Sequence, residues 1–127
     1  MKIRGNIYYK GKFEKRTVVI EKERISSFSD EKADLDFGND FVVPGFIDSH
    51  IHGCNGSDVM DMSSKSFEII REFCFSRGVT TPVYTTLSAS YNDLKKVVEE
   101  SKKCDFEVLI HLEGPYINPL KKGAQNE

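Results

Sequence analysis

The 127 residues of this chain include 18 basic and 20 acidic side chains, and 39% of the residues are hydrophobic. A net charge of −2 with no basic stripe excludes an electrostatic nucleic-acid binder, and no apolar run is long enough to span a bilayer. The charged N-terminal residues exclude a secretory signal peptide. Cys54, Cys74 and Cys104 are too scattered for a disulfide framework, which indicates a reduced, cytoplasmic setting.

The first forty residues predict a series of short strands. Ile3, Ile7 and Tyr9 share one parity, which is typical of a half-buried strand, and β-branched runs follow. Strands this short usually pack into a small sandwich, so we assign residues 1–43 to a β-sandwich portion. The later strands are predicted at 17–21, 24–28, 34–37 and 41–43, with a turn at Gly38-Asn39-Asp40 between the last two.

From Pro44 onward the pattern alternates between strand and helix, which predicts a parallel sheet with helical crossovers. The apolar run 46–52 is typical of a buried parallel strand. After it come a helix capped by Ser63 and ended by Gly78, strand 79–86, a helix capped by Asn92, and strand 108–112.

The fold class is therefore α/β, with a parallel sheet in residues 44–127. Three such strands are too few to close a (β/α)8 TIM barrel. The sequence ends in a loop directly after the third strand, with no helix to cover it. We therefore expect a truncated chain.

The first chemical motif is His50-Ile51-His52 at the end of the first barrel-type strand. Residues two apart on a strand point to the same side, so both imidazoles would face the barrel mouth. Two such nitrogens suit one divalent cation, zinc or iron. The alternative is a pair of surface histidines, but the βαβ pattern that follows favours the metal site.

The second motif, 111–116, also ends a strand, and His111 and Glu113 share one side of it. A carboxylate at this end of a barrel strand can bind a metal or act in acid/base catalysis. A capping glutamate is the alternative for Glu113, and a packing role fits His111 as well as a site role. A one-residue shift of the strand would turn Glu113 away.

Three weaker candidates have ordinary explanations. The loop 118–126 could contact a substrate through Gln125, although its composition alone favours a solvated surface. Cys54 follows the histidine pair, but with no base or second cysteine nearby it is better explained as a partly buried thiol. Thr85 and Thr86 could bond a ligand or simply satisfy strand propensity.

Two segments carry a resemblance to known proteins. The segment 43–53, with its histidine pair, resembles the first barrel strand of the amidohydrolase superfamily, which combines a small sandwich with a (β/α)8 barrel. Together with His111-Leu112-Glu113-Gly114-Pro115 and Lys121-Lys122-Gly123-Ala124, it is similar to the N-acetylglucosamine-6-phosphate deacetylase family. The resemblance covers the chain from about Phe41 onward and, loosely, the strands before it. It implies that residues 44–127 form the first three strands and two helices of such a barrel.

The resemblance implies deacetylation of N-acetylglucosamine 6-phosphate to glucosamine 6-phosphate and acetate by a metal-activated water. It implies metal ligation by Glu113, with His50 and His52 able to hold one or two ions of zinc or iron. Ala124 would contact the phosphorylated amino sugar through its backbone, and Gln125 stands where many relatives have histidine. The full-length enzyme would be a homodimer.

No catalytic residue is expected within this chain, because the family's aspartate general base and its other metal histidines lie downstream. The chain alone is therefore expected to be inactive. Two alternatives remain open. One is a different amidohydrolase, such as a dihydroorotase-like or hydantoinase-like cyclic amidase. The other is a non-catalytic truncated product that binds metal or a partner through its open sheet edge.

Overall fold

A computed structural model describes residues 1–126 as two compact units, Met1–Pro44 and a second unit that begins at Gly45. Among these residues no helix is both long and apolar enough to cross a membrane. The predicted assignments of 1–43 to a sandwich and of 44–127 to a barrel stay predictions.

The first unit is a four-stranded sheet with the strand order β3-β2-β1-β4. Two tight turns join its antiparallel strands, with positive φ at Lys10 and Gly11 and at Lys22 and Glu23, as two-residue hairpin loops require. β4 returns to pair in parallel with β1. The strands are β1 Lys2–Tyr9, β2 Lys12–Glu21, β3 Arg24–Ser29 and β4 Leu35–Val42.

The predicted turn at 38–40 is wrong, because β4 runs continuously through it. Gly38 takes a φ of +61°, and the pairing register of β1 with β4 shifts between Arg4 and Asn6. The Gly38 N–H donates to Asp36 Oδ1 at 2.8 Å. A glycine and two polar residues therefore make a bulge inside one strand rather than a reversal of the chain.

The second unit contains a parallel sheet in the order β5-β8-β9, with helices in the connections, so the mixed α/β fold is confirmed. Three strands do not close a barrel. In chain order the elements are β5 Phe46–Ile51, β6 Gly53–Cys54, β7 Ser57–Asp58, a 3₁₀ turn Val59–Asp61, α1 Ser64–Ser76, β8 Val79–Thr85, α2 Tyr91–Ser101, β9 Leu109–His111 and a 3₁₀ turn Pro119–Lys121.

The core of this unit lies between α1 and the sheet. Phe67, Ile70 and Cys74 occupy i, i+3 and i+7 of α1, so their side chains form one buried stripe. The buried Tyr84 of β8 packs against this stripe and donates its hydroxyl to the Phe67 carbonyl at 3.3 Å. Burial raises the pKa of Tyr84 above its ordinary value. The stripe anchors α1 to the middle strand of the sheet.

The helix boundaries correct one expectation. Gly78 has a φ of +82° directly after α1, as predicted for a glycine at a helix C-terminus. Ser63 is the residue before α1, although its side chain makes no capping bond. Asn92 lies inside α2 and does not cap it. Ser90 does, because its Oγ accepts from the Asp93 N–H.

Candidate metal centre

Three predicted ligands meet at the carboxyl end of the parallel sheet. His50 lies in β5 and His52 directly follows that strand, while Glu113 comes two residues after β9. Because β5 and β9 flank β8 on either side, their carboxyl ends reach the same edge of the sheet. The parity of the histidine pair turns both rings toward Glu113.

The three ligand atoms form a nearly equilateral triangle. His50 Nε2 lies 3.1 Å from His52 Nε2, and each nitrogen lies 3.3 Å from Glu113 Oε2. Tetrahedral ligands about 2.0–2.1 Å from a zinc ion stand about 3.3 Å apart. The triangle therefore has the dimensions of one face of a tetrahedral site.

The tautomer of His52 is fixed by the middle strand. His52 Nδ1 lies 3.0 Å from the carbonyl oxygen of Thr85, an acceptor that requires the proton on Nδ1. Nε2 of the neutral ring then carries the lone pair and faces the other two ligand atoms. Metal-binding histidines commonly donate their second ring nitrogen to a carbonyl or carboxylate in this way.

Glu113 contributes an acceptor that lacks a partner. Its Oε2 is buried and has no hydrogen-bond partner among the described residues, although the side chain as a whole is 31% exposed. A buried carboxylate oxygen without a donor is costly. A cation shared with the two imidazoles would satisfy it, so the donor set fits a divalent metal ion.

Hydrogen bonds to side chains hold the main chain at two of the ligands. The His50 N–H donates to Asp48 Oδ1 at 3.1 Å, and the Glu113 N–H donates to Thr86 Oγ1 at 3.3 Å. Neither contact was predicted as part of the site. An aspartate two residues before His50 is a local signal that could have been read from the sequence.

Two nearby candidates are not part of the triangle. The His111 ring packs edge-on against His50, with centroids 5.3 Å apart, and lies outside the three-ligand group. Cys54 directs its thiol toward the Ile70 carbonyl and Cys74 instead of the ligands. Burial raises the pKa of Cys54, as expected for a packed, unreactive thiol.

The predicted substrate loop lies against the segment that follows β8. Gln125 Oε1 accepts from the Ser88 N–H at 2.8 Å, and Asn126 donates to the Ser88 carbonyl at 3.3 Å. Gly114 approaches the same serine so closely that a Cβ there would lie 2.6 Å from its Oγ. Ala124 is exposed. Ser88 thus connects the Gln125 loop to the residue after Glu113.

Comparisons with known proteins give a consistent result, although no family model matches. The chain is 36% identical over 94 residues to the N-acetylglucosamine-6-phosphate deacetylase of Bacillus subtilis, a match covering 66% of this chain and 24% of that protein. It is 30% identical over 92 residues to the N-acetylgalactosamine-6-phosphate deacetylase of Escherichia coli O157:H7, covering 67% and 24%.

Among solved structures, the N-acetylglucosamine-6-phosphate deacetylase of Thermotoga maritima superposes with a TM-score of 0.79 at 33% identity. That superposition covers 99% of this chain and 35% of the other. The chain thus spans about a quarter of the length of the curated relatives that it matches.

The fold and the ligand cluster define a mixed α/β chain in which three side chains could hold a metal ion. In sequence and in structure the chain is similar to N-acetylglucosamine-6-phosphate deacetylases, so the resemblance expected from its motifs is confirmed.

Proposed function

We propose that this chain supplies the first metal ligands of an enzyme that deacetylates N-acetylglucosamine 6-phosphate to glucosamine 6-phosphate and acetate. The observation that carries the proposal is the convergence of His50, His52 and the unpartnered Oε2 of Glu113 on one point. The named activities of the similar proteins supply the substrate class.

The three side chains would hold a zinc or ferrous ion. Because both histidines are present, the site would hold one metal ion or two. When bound, such a cation supplies Lewis acidity toward water and toward a carbonyl oxygen. Thr85 keeps His52 in the tautomer that can ligate. The resemblance implies that an aspartate general base comes from a part of the protein outside this chain.

Ala124 and Gln125 are proposed to contact the phosphorylated sugar. One support is the resemblance of their loop to the family. The other is the hydrogen bond between Gln125 and Ser88, because Ser88 also contacts Gly114, the residue after the ligand Glu113. Because the side-chain carbonyl of Gln125 bonds Ser88, this residue would also set the position of the loop.

For the whole protein we propose the architecture and setting that the resemblance implies. The four-stranded unit would contribute to a β-sandwich, and the parallel strands would be the first three of a (β/α)8 barrel. The complete enzyme would be a homodimer. The free thiols of Cys54, Cys74 and Cys104 support a reducing, cytoplasmic setting.

The proposal is tested by acetate release from N-acetylglucosamine 6-phosphate, using the product of the complete reading frame with Zn²⁺ or Fe²⁺ supplied. Loss of a ligand should cost at least as much as loss of a residue that supports one, so Glu113→Gln should lower activity by about 100-fold or more. Glu107→Gln, which removes an exposed charge, is the matched control. An active Glu113→Gln variant would refute the role of this residue.

A second candidate substrate is N-acetylgalactosamine 6-phosphate, the C4 epimer. It is favoured by the 30% identity to a deacetylase named for that sugar. Running both epimers in the same acetate assay decides between them by the ratio of their kcat/KM values.

A further inference from the structure

Thr86, the residue directly after β8, makes hydrogen bonds that its position in the sequence does not predict. Thr86 is fully buried and follows the last residue of β8. Its main-chain N–H donates to the His111 carbonyl at 3.0 Å, which continues the pairing of β8 with β9 by one step.

The next step of that ladder is unusual. In a regular parallel pairing the main-chain carbonyl of residue 86 would accept the N–H of residue 113. Here the side-chain Oγ1 of Thr86 is the acceptor, at 3.3 Å from the Glu113 nitrogen. The hydroxyl thus takes over the position of a ladder acceptor where β9 has ended at His111.

We propose that Thr86 is a positioning residue for the metal ligand Glu113. Its hydroxyl fixes the main chain of Glu113 against the middle strand, in the register that directs Oε2 toward the two imidazoles. The preceding residue, Thr85, holds His52 through its carbonyl oxygen. Two consecutive residues, the last of β8 and the one after it, would therefore set two of the three ligands. This inference rests on the metal site proposed above.

The test compares three variants of the full chain by calorimetric titration with Zn²⁺ alone. Thr86→Val keeps the side-chain shape and strand propensity but removes the acceptor, so Zn²⁺ affinity should fall by about 10–100-fold. Thr86→Ser keeps the hydroxyl and should bind nearly as tightly as the wild type. Thr17→Val makes the same change at a fully buried threonine of the first unit and should leave affinity unchanged.

Amide hydrogen exchange in the metal-free chain gives a second measurement. Thr86→Val should speed exchange at Glu113 by about tenfold or more, while Thr86→Ser keeps the protection of the wild type. If Thr86 contributed only to general stability, Thr86→Val would instead speed amide exchange along the whole of β8 and β9.

The outcomes separate the two proposals. A wild-type chain that binds no Zn²⁺ would refute the metal site formed by these three residues, and with it the role of Thr86, whereas the proposed function is decided by the acetate assay on the complete protein. A wild-type chain that binds Zn²⁺, beside a Thr86→Val variant with the same affinity and the same protection at Glu113, would overturn the role of Thr86 alone.

Discussion

Replacing Glu113 with glutamine should stabilise the chain without metal and remove most of its stabilisation by Zn²⁺. Oε2 is buried with no hydrogen-bond partner among residues 1–126, 3.3 Å from each imidazole nitrogen. Such an acceptor costs about 1–3 kcal/mol, and because the side chain is partly exposed we expect the lower end, about 1 kcal/mol. A glutamine amide donates to the unprotonated Nε2 of His52 and removes this cost.

The assay is thermal unfolding followed by circular dichroism at pH 8, in EDTA and with Zn²⁺ at 100 times its Kd. In EDTA the Glu113→Gln variant should melt about 4–8 °C above the wild type. Zn²⁺ should stabilise the wild type by about 2.7 kcal/mol and the variant by much less. The control Glu107→Gln should behave as the wild type in both conditions. A variant that melts below the wild type in EDTA, or gains as much from Zn²⁺, would refute the reasoning.

Three further predictions concern the second unit. Ile70→Ala empties a fully buried site and should cost about 2–5 kcal/mol in urea unfolding, whereas Ile25→Ala at an exposed site of the other unit should cost far less. Gly45→Ala places a Cβ 2.0 Å from Thr80 Oγ1 and should cost about 1–3 kcal/mol, so an unchanged urea midpoint would contradict it. Burial raises the pKa of Cys74 in the folded chain from 9.0 to about 11. The thiol of the unfolded chain therefore ionises first, and the free energy of unfolding should fall as pH rises between these values. Cys74→Ala should flatten this part of the stability profile, and an unchanged slope would argue against it.

Local periodicity was sufficient to predict most of the second unit. The apolar spacing of Phe67, Ile70 and Cys74 predicted the buried stripe of α1. Strand parity predicted that His50 and His52 share a side, and the strand-end position of Glu113 predicted which edge it occupies. These predictions are correct because side chains two apart on a strand share a side, and because the carboxyl ends of parallel strands lie at one edge of the sheet, independent of the connecting segments.

Features that depend on competing partners were missed. Ser90 and Asn92 are both good capping residues, and only the contact with the Asp93 N–H decides between them. The polar signal at Gly38 produced a bulge because β1 was available to pair with the chain on both sides of it. The hairpin β6-β7 is two residues per strand, too short for a periodic pattern.

The supporting contacts of the site also escaped prediction. Threonine is common in strands, so the sequence gives Thr86 no special role. Its hydroxyl accepts from the Glu113 N–H because β9 ends before Glu113. The contact of Gln125 with a substrate stays a prediction, and the hydrogen bond that its side-chain carbonyl oxygen accepts from the Ser88 N–H was not predicted. Contacts between segments that lie about 27 to 37 residues apart in sequence cannot be inferred from local spacing, since they depend on where the intervening helix places the chain.

The most direct test of the account is anomalous diffraction at the zinc edge from crystals of the Zn²⁺-loaded chain. The account predicts a peak about 2.0–2.2 Å from His50 Nε2, His52 Nε2 and Glu113 Oε2. A zinc ion bound elsewhere, or no peak at these three atoms in a chain whose fold is intact, would contradict the proposal that this cluster is a metal centre.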